Sequence, residues 1–118
     1  MPINLTVRRR DVDDIIADSP WELTLYRRGR TPDDADVSFT FDGTIAPMRN
    51  ASGALARMNG QSTSGIMAWV LLAPYDTATI KTGDEIKGIS PGGVTRKFVA
   101  LFAAQYDEKW EVVLEERE

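Results

Sequence analysis

The sequence predicts an all-β fold: a small single-domain β-barrel of about six strands, with a short N-terminal helix and a long internal loop. Two observations favour it. Apolar and polar residues alternate with a period of two in several short segments, and turn-forming residues separate those segments. The length of 118 residues fits one domain, and no linker divides residues 1–118.

The helix is predicted over residues 8–18. Val12, Ile15 and Ile16 fall at positions i, i+3 and i+4, which places them on one helical face. Pro20 ends the segment, because the residue before a proline avoids the α-helical region. A helix this short is not stable alone.

Strands are predicted where the period is two or where a short apolar run is flanked by turns. In 94–104, the alternation places Phe98, Ala100 and Phe102 on one face. The dipeptide 42–43, Asp-Gly, forms either a hairpin turn or a bulge within one long bent strand. The predicted strands are residues 21–26, 37–41, 66–72, 84–89, 94–104 and 110–114.

The predicted core follows from the apolar faces of these strands. The three tryptophans each sit among aliphatic neighbours, which favours packing in the core or at its rim over base or sugar stacking. The predicted core residues are Leu23, Leu25, Phe39, Phe41, Val70, Leu72, Ile86, Val112 and Leu114.

Residues 47–65 form a connection rich in Gly, Ser and Asn. A connection of this length is unusual inside a compact domain and is either functional or disordered. Its only charged residues are Arg49 and Arg57. Two explanations stay open for these two arginines: they keep the loop soluble, or they contact DNA phosphate or an acidic neighbour.

The composition argues against an enzyme. The chain has no cysteine and no histidine, which excludes disulfides, thiolate nucleophiles and Ser-His-Asp chemistry. Two groups of carboxylates match no complete ligand pattern and are read as a solvated helix face and an ordinary turn. We predict no catalytic residue, no metal site and no cofactor. The two groups are Asp11, Asp13, Asp14 and Asp18, and Asp33, Asp34 and Asp36.

The net charge of −4 also counts against a free-standing nucleic-acid-binding protein, which is usually basic. No targeting segment is visible, and the longest apolar run, 66–74, is too short to span a bilayer. We therefore expect a soluble protein that makes no membrane contact.

Two arginine clusters stand out against this acidic background. Arginine is favoured at interfaces and at phosphates, although exposed charge that protects strand edges explains the clusters equally well. With the two loop arginines they complete the set of predicted DNA or partner contacts. The clusters are Arg8, Arg9 and Arg10, and Arg27, Arg28 and Arg30.

The second half of the chain has a recognisable order of motifs. An apolar strand, 67–72, precedes a Gly83-Asp84 turn with Ile86 two positions on, and the last strand reads Trp-x-Val-x-Leu at 110–114. This order resembles the head-closure proteins (stopper, or head–tail connector) of tailed phages over roughly residues 66–114. The chain departs from the family where a Gly-x-x-Tyr-x-Val segment is often seen, since it has Phe98-Val99 there.

The resemblance implies a structural protein of the virion neck, assembled in the host cytoplasm and without catalytic activity. It implies a homo-oligomeric ring between the portal–adaptor complex and the tail proteins, with the 47–65 loop placed to enter the DNA channel and help retain the genome. Two alternatives remain. One is a small β-barrel binding module for oligonucleotides or sugars, and the other is a different tail protein such as a tail terminator.

Overall fold

The computed structural model describes residues 5–47 and 68–117. Most of the predicted loop 47–65, including Arg49 and Arg57, lies outside the described residues. Within the two described ranges, one helix and six strands confirm the predicted class. They are α1 (Leu5–Asp18), β1 (Trp21–Arg27), β2 (Val37–Pro47), β3 (Ala68–Pro74), β4 (Glu85–Ile89), β5 (Thr95–Gln105) and β6 (Lys109–Arg117).

The six strands close into a barrel in the order β1-β2-β3-β6-β5-β4, with every neighbouring pair antiparallel. Strand β2 continues unbroken through Asp42 and Gly43, so this dipeptide does not form a hairpin turn. It pairs with β1 up to Gly43 and with β3 from Thr44 onward. A Cβ atom on Gly43 would lie 2.8 Å from the carbonyl oxygen of Leu72, so the change of partner requires glycine there.

The inward faces of the strands form the core. Five predicted core residues, at positions 23, 25, 86, 112 and 114, are buried there. Phe39 and Phe41 are half-buried and pack against the same cluster. All three tryptophans are buried, and the ring of Phe98 meets those of Trp21 and Trp69 edge-on at 6.2 and 5.8 Å.

The prediction for β3 was wrong about its faces. Trp69, Leu71 and Ala73 point into the barrel, whereas Val70 and Leu72 lie on the outer face and are half-buried. Both faces of this strand are apolar, so alternation alone does not identify the inner one. Packing does identify it: Leu71 and its cross-strand partner Val112 both belong to the core cluster, whereas Val113, opposite Val70, belongs to a separate cluster with Ala68.

The prediction for β5 failed beyond Ala100. A register shift between Ala100 and Phe102 inserts one extra residue, which reverses the alternation for the rest of the strand. Phe102 therefore leaves the face of Phe98 and packs outside the barrel against Val113. Ala103 takes the inward position instead.

Helix α1 begins at Leu5, three residues earlier than predicted, and packs against β3 and β2. Val12 and Ile16 are buried as expected, but Ile15 is 53% exposed. The helix therefore has a narrower apolar stripe than the spacing predicts. Among the described residues, no helix is long and apolar enough to cross a membrane.

Candidate functional site

The connection from β3 to β4, residues 75–84, crosses one end of the barrel and closes it. We call this segment the strap. Its Ile80 is 3% exposed and belongs to the core, and its Thr77 carbonyl accepts a 3.1 Å hydrogen bond from the Trp110 indole. The strap joins strands that are not neighbours in the sheet, so it must pass over the barrel interior. Closing the end excludes water from the core.

The strap is locked to β1 by one ion pair. The Arg27 guanidinium donates to both carboxylate oxygens of Asp84, at 2.7 and 2.6 Å, and to the Thr79 carbonyl at 3.0 Å. Asp84 is 2% exposed and also accepts from the Lys81 amide at 2.7 Å. The hydrogen bond to Asp84 raises the pKa of Arg27 above its ordinary value. Arg27 therefore stabilises the fold, and these contacts occupy the guanidinium that a ligand would need.

The predicted Gly-Asp turn is confirmed within the strap. Gly83 has φ of +92°, a conformation that glycine adopts readily, and its amide donates to the Ala100 carbonyl at 2.7 Å. The Ala100 amide donates in turn to the Asp84 carbonyl at 2.9 Å. These two bonds fix the turn on β5, so the buried carboxylate of Asp84 is held at the position where Arg27 reaches it.

The other two arginines of the second cluster, Arg28 and Arg30, lie in the β1–β2 connection and are exposed. Asp36 shapes this connection by accepting from the Gly29 amide at 2.8 Å and from the Tyr26 hydroxyl at 2.9 Å. The hydrogen bond from the Gly29 amide is the main reason that the pKa of Asp36 is lowered. The hydrogen bond that Tyr26 donates to the Asp36 carboxylate raises the pKa of the Tyr26 hydroxyl. Arg28 and Arg30 border, with the strap, an open concavity of about 500 Å³.

The first arginine cluster also contains one arginine with structural partners and two that are exposed. Arg9 lies 3.7 Å from the ring centroid of Tyr75 and donates to the Asp107 carbonyl at 3.1 Å, so it fastens α1 to two connections of the barrel. Arg8 and Arg10 are exposed. Of the eight predicted contact arginines, Arg9 and Arg27 thus have structural partners, and Arg49 and Arg57 lie outside the described residues.

The carboxylates noted in the sequence do not assemble into a metal site within residues 5–47 and 68–117, where no group of three or more ligating side chains is found. Asp11, Asp13, Asp14 and Asp18 are all exposed along α1. Asp36 is held by Tyr26 and Gly29, as described above. The four aspartates of α1 therefore contribute negative charge to an exposed surface.

Sequence reasoning missed three features: Ile80 as a core residue, the Arg27–Asp84 pair, and a row of cations on the outer face of β4, β5 and β6. Each depends on residues far apart in the chain, such as the 57 positions between Arg27 and Asp84. One signal was available, because Ile80 is the only aliphatic residue with a large side chain in 75–84. The register of the barrel was needed for the others.

Comparison with known proteins identifies no relative: no family model matches the chain, and neither a curated protein nor a solved structure does.

Proposed function

We propose that the chain is a structural protein of a tailed-phage neck, a head-closure subunit that forms a ring between the portal–adaptor complex and the tail. The observation that carries the proposal is where the long connection leaves the barrel. Pro47 of β2 and Trp69 of β3 are paired cross-strand, so β2 ends and β3 begins at the same rim of a closed barrel. The motif resemblance over residues 66–114 supports the same reading.

A closed barrel suits this task as a platform. Its core and its strapped end hold the two strands that carry the connection in a fixed geometry. In a ring, each copy presents the same connection toward the channel, and many weak contacts with DNA then add to a strong one. Arg49 and Arg57 are the charges that this segment brings to the channel.

The oligonucleotide- or sugar-binding module finds less support. Such a module presents exposed aromatic rings next to basic residues, whereas all three tryptophans are buried. Tyr75 is exposed, but Arg9 lies over its ring. Tyr26 is exposed and shares a concavity with Lys87 and Lys97, but its hydroxyl is bonded to Asp36, and this concavity offers one exposed ring rather than the series on which successive bases stack. No observation favours a tail terminator over a head-closure protein, so the experiment must separate them.

The decisive experiment deletes the gene from the phage or prophage that carries it. We expect full-sized heads that lose packaged DNA and lack tails, together with free tails of normal length. Complementation with the intact gene restores infectious particles. A variant with residues 48–67 replaced by a short Gly-Ser connection should fold, since closing a shorter loop changes stability by only about 0.6 kcal/mol per twofold change in length. That variant should not restore DNA retention.

Three outcomes contradict the proposal. Infectious particles without the gene show that the neck does not need this protein. Free tails of abnormal length identify a tail terminator instead. Full complementation by the Gly-Ser variant removes residues 48–67 from the mechanism, even if the protein itself belongs to the neck.

A further inference from the structure

The outer face of the barrel carries three cations side by side. Lys87 of β4 lies directly opposite Lys97 of β5, which lies directly opposite Arg117 of β6. We call these three residues the cationic row. All three are exposed, and neither lysine forms an ion pair with any described residue. Like charges directly opposite each other destabilise a sheet, so the row costs stability in the single chain.

The cationic row borders a concavity of about 540 Å³ that also has an apolar component. Val99 and the ring of Tyr26 contribute to its wall. Glu85 and Glu115 occupy the adjacent cross-strand row, and Arg117 reaches Glu115 only at 3.7 Å. The concavity therefore fits a partner that places carboxylates on the three cations and an aliphatic side chain between them.

Helix α1 presents that combination. Asp11, Asp14 and Asp18 lie at i, i+3 and i+7, on one stripe beside the exposed Ile15. We call these four residues the acidic stripe. The first turn of the helix has no acidic residue and the last has no basic one. Its carboxylates thus stand toward the negative end of the helix dipole, where they are unfavourable.

The barrel next to α1 adds more negative charge. Glu22 of β1 lies directly opposite Asp42 of β2, a like-charge pair of the other sign. Both residues share a concavity with Asp13 of the helix. None of these three carboxylates is in an ion pair with another described residue. The side that carries α1 therefore has carboxylates without an ion pair among the described residues, and the opposite side has two lysines, Lys87 and Lys97, in the same position.

The two surfaces lie on opposite sides of the barrel. Helix α1 packs on β2 and β3, and in a closed barrel of six strands these are diametrically opposite β5 and β4. Their dimensions also agree. Asp11 and Asp18 are separated by about 10.5 Å along the helix axis, and the row from Lys87 to Arg117 spans two strand spacings, about 10 Å.

We propose that the acidic stripe of one copy docks on the cationic row of the next copy, head to tail. Surfaces on opposite sides make a heterologous contact, and such a contact closes into a ring when its rotation permits. The inference deepens the proposed function, and its extension to a ring in the neck rests on it. A nucleic-acid backbone is the competing occupant of the cationic row. The acidic stripe favours a second copy, because DNA would leave those carboxylates unpaired.

The test uses the fact that the chain has no cysteine. Asp14→Cys and Lys97→Cys are prepared as separate proteins, mixed, and treated with a short bismaleimide. We expect a cross-linked heterodimer. The matched control replaces Asp14→Cys by Asp33→Cys, an equally exposed aspartate in the β1–β2 connection. The heterodimer yield should exceed the control by about tenfold, because complementary charges orient the first pair and not the second.

Charge reversal then separates electrostatic docking from chance proximity. In the pair Asp14→Cys and Arg117→Cys, adding Lys97→Glu to the second protein should reduce the cross-link by about tenfold, since like charges across an interface oppose docking. Adding Asp11→Lys to the first protein should restore much of it. Raising the salt concentration should weaken the cross-link, because exposed charges are screened.

The proposal is overturned if the Asp14→Cys and Asp33→Cys proteins give equal yields of cross-link with Lys97→Cys. It is also overturned if neither charge reversal nor salt changes the yield of the cross-link. If the cross-link is absent while Lys97→Glu abolishes binding of a fluorescein-labelled DNA duplex, the cationic row is a phosphate-binding surface instead. The neck function is tested apart from this by the gene deletion. A tailless deletion phenotype combined with equal yields rejects this interface alone.

Discussion

The strap lock and the cationic row use the same kinds of charged residue to opposite effect. Arg27 meets a carboxylate that is almost fully buried, along with a backbone carbonyl. Lys97, by contrast, is exposed to solvent and lies between two other cations, Lys87 and Arg117. Replacing Arg27 leaves the buried charge of Asp84 without a partner, whereas replacing Lys97 relieves the repulsion between neighbouring cations. The comparison teaches that a cation's stabilising role in this barrel depends on what faces it.

The largest expected effect is at the lock. Arg27→Met keeps most of the side-chain volume but leaves the Asp84 carboxylate buried without its cation. We expect the free energy of unfolding to fall by about 3–5 kcal/mol, measured by chemical denaturation. Arg28→Met is the matched control at the next position, which is exposed, and it should change stability by less than about 0.5 kcal/mol. Equal effects of the two variants would show that Arg27 does not hold the strap.

Ile80→Ala tests the apolar part of the same closure. The side chain is 3% exposed within the core cluster, so its truncation leaves a cavity at the closed end of the barrel. The expected loss is about 2–4 kcal/mol, read from the thermal or denaturant midpoint. Val94→Ala, at a residue that is 55% exposed, is the control and should cost far less. An unchanged midpoint for Ile80→Ala would mean that the strap does not seal the core.

Asp36 gives a smaller, pH-dependent effect. Its pKa is lowered from 3.8, first by the Gly29 amide and then by the Tyr26 hydroxyl. A lowered folded-state pKa means that the carboxylate contributes stability above the unfolded value and loses it as pH falls through the folded value. Wild type should therefore lose stability more steeply than Asp36→Asn below about pH 4, in denaturation curves taken at successive pH values. Asp33→Asn, in the same connection, should follow wild type, and parallel curves for all three would contradict the assignment.

Lys97→Glu should have the smallest effect on stability, and of opposite sign. The new carboxylate would face Lys87 and Arg117 on its two sides, so we expect a gain of about 0.2–1 kcal/mol in the free energy of unfolding of the single chain, measured at a dilution where copies do not associate. Lys81→Glu, at an exposed position of the strap, is the control and should stay within about 0.5 kcal/mol of wild type. A clear loss of stability in Lys97→Glu would show that Lys97 already has a favourable partner.

Much of the fold could be predicted because its signals are local. Alternation identified β1 and β6 and the inward side chains of Leu23 and Leu25, and Pro20 fixed the end of the helix. Alternation failed at β3, where both faces are apolar, and at β5, where one inserted residue reverses the faces beyond Ala100. In both strands the inner face is set by the partner strand, and no local pattern contains that information.

The sequence by itself determined the class of the protein: a β-rich single domain with tryptophans in the core or at its rim, no cysteine or histidine, and a long polar connection. Tertiary structure alone decided the strand order, the closure of the barrel by Ile80 and the strap, and the meeting of Arg27 with Asp84. It also decided that Lys87, Lys97 and Arg117 form one row. The physical reason is range: turn chemistry and periodicity act over a few residues, whereas burial and charge pairing depend on strands that only closure of the barrel brings together.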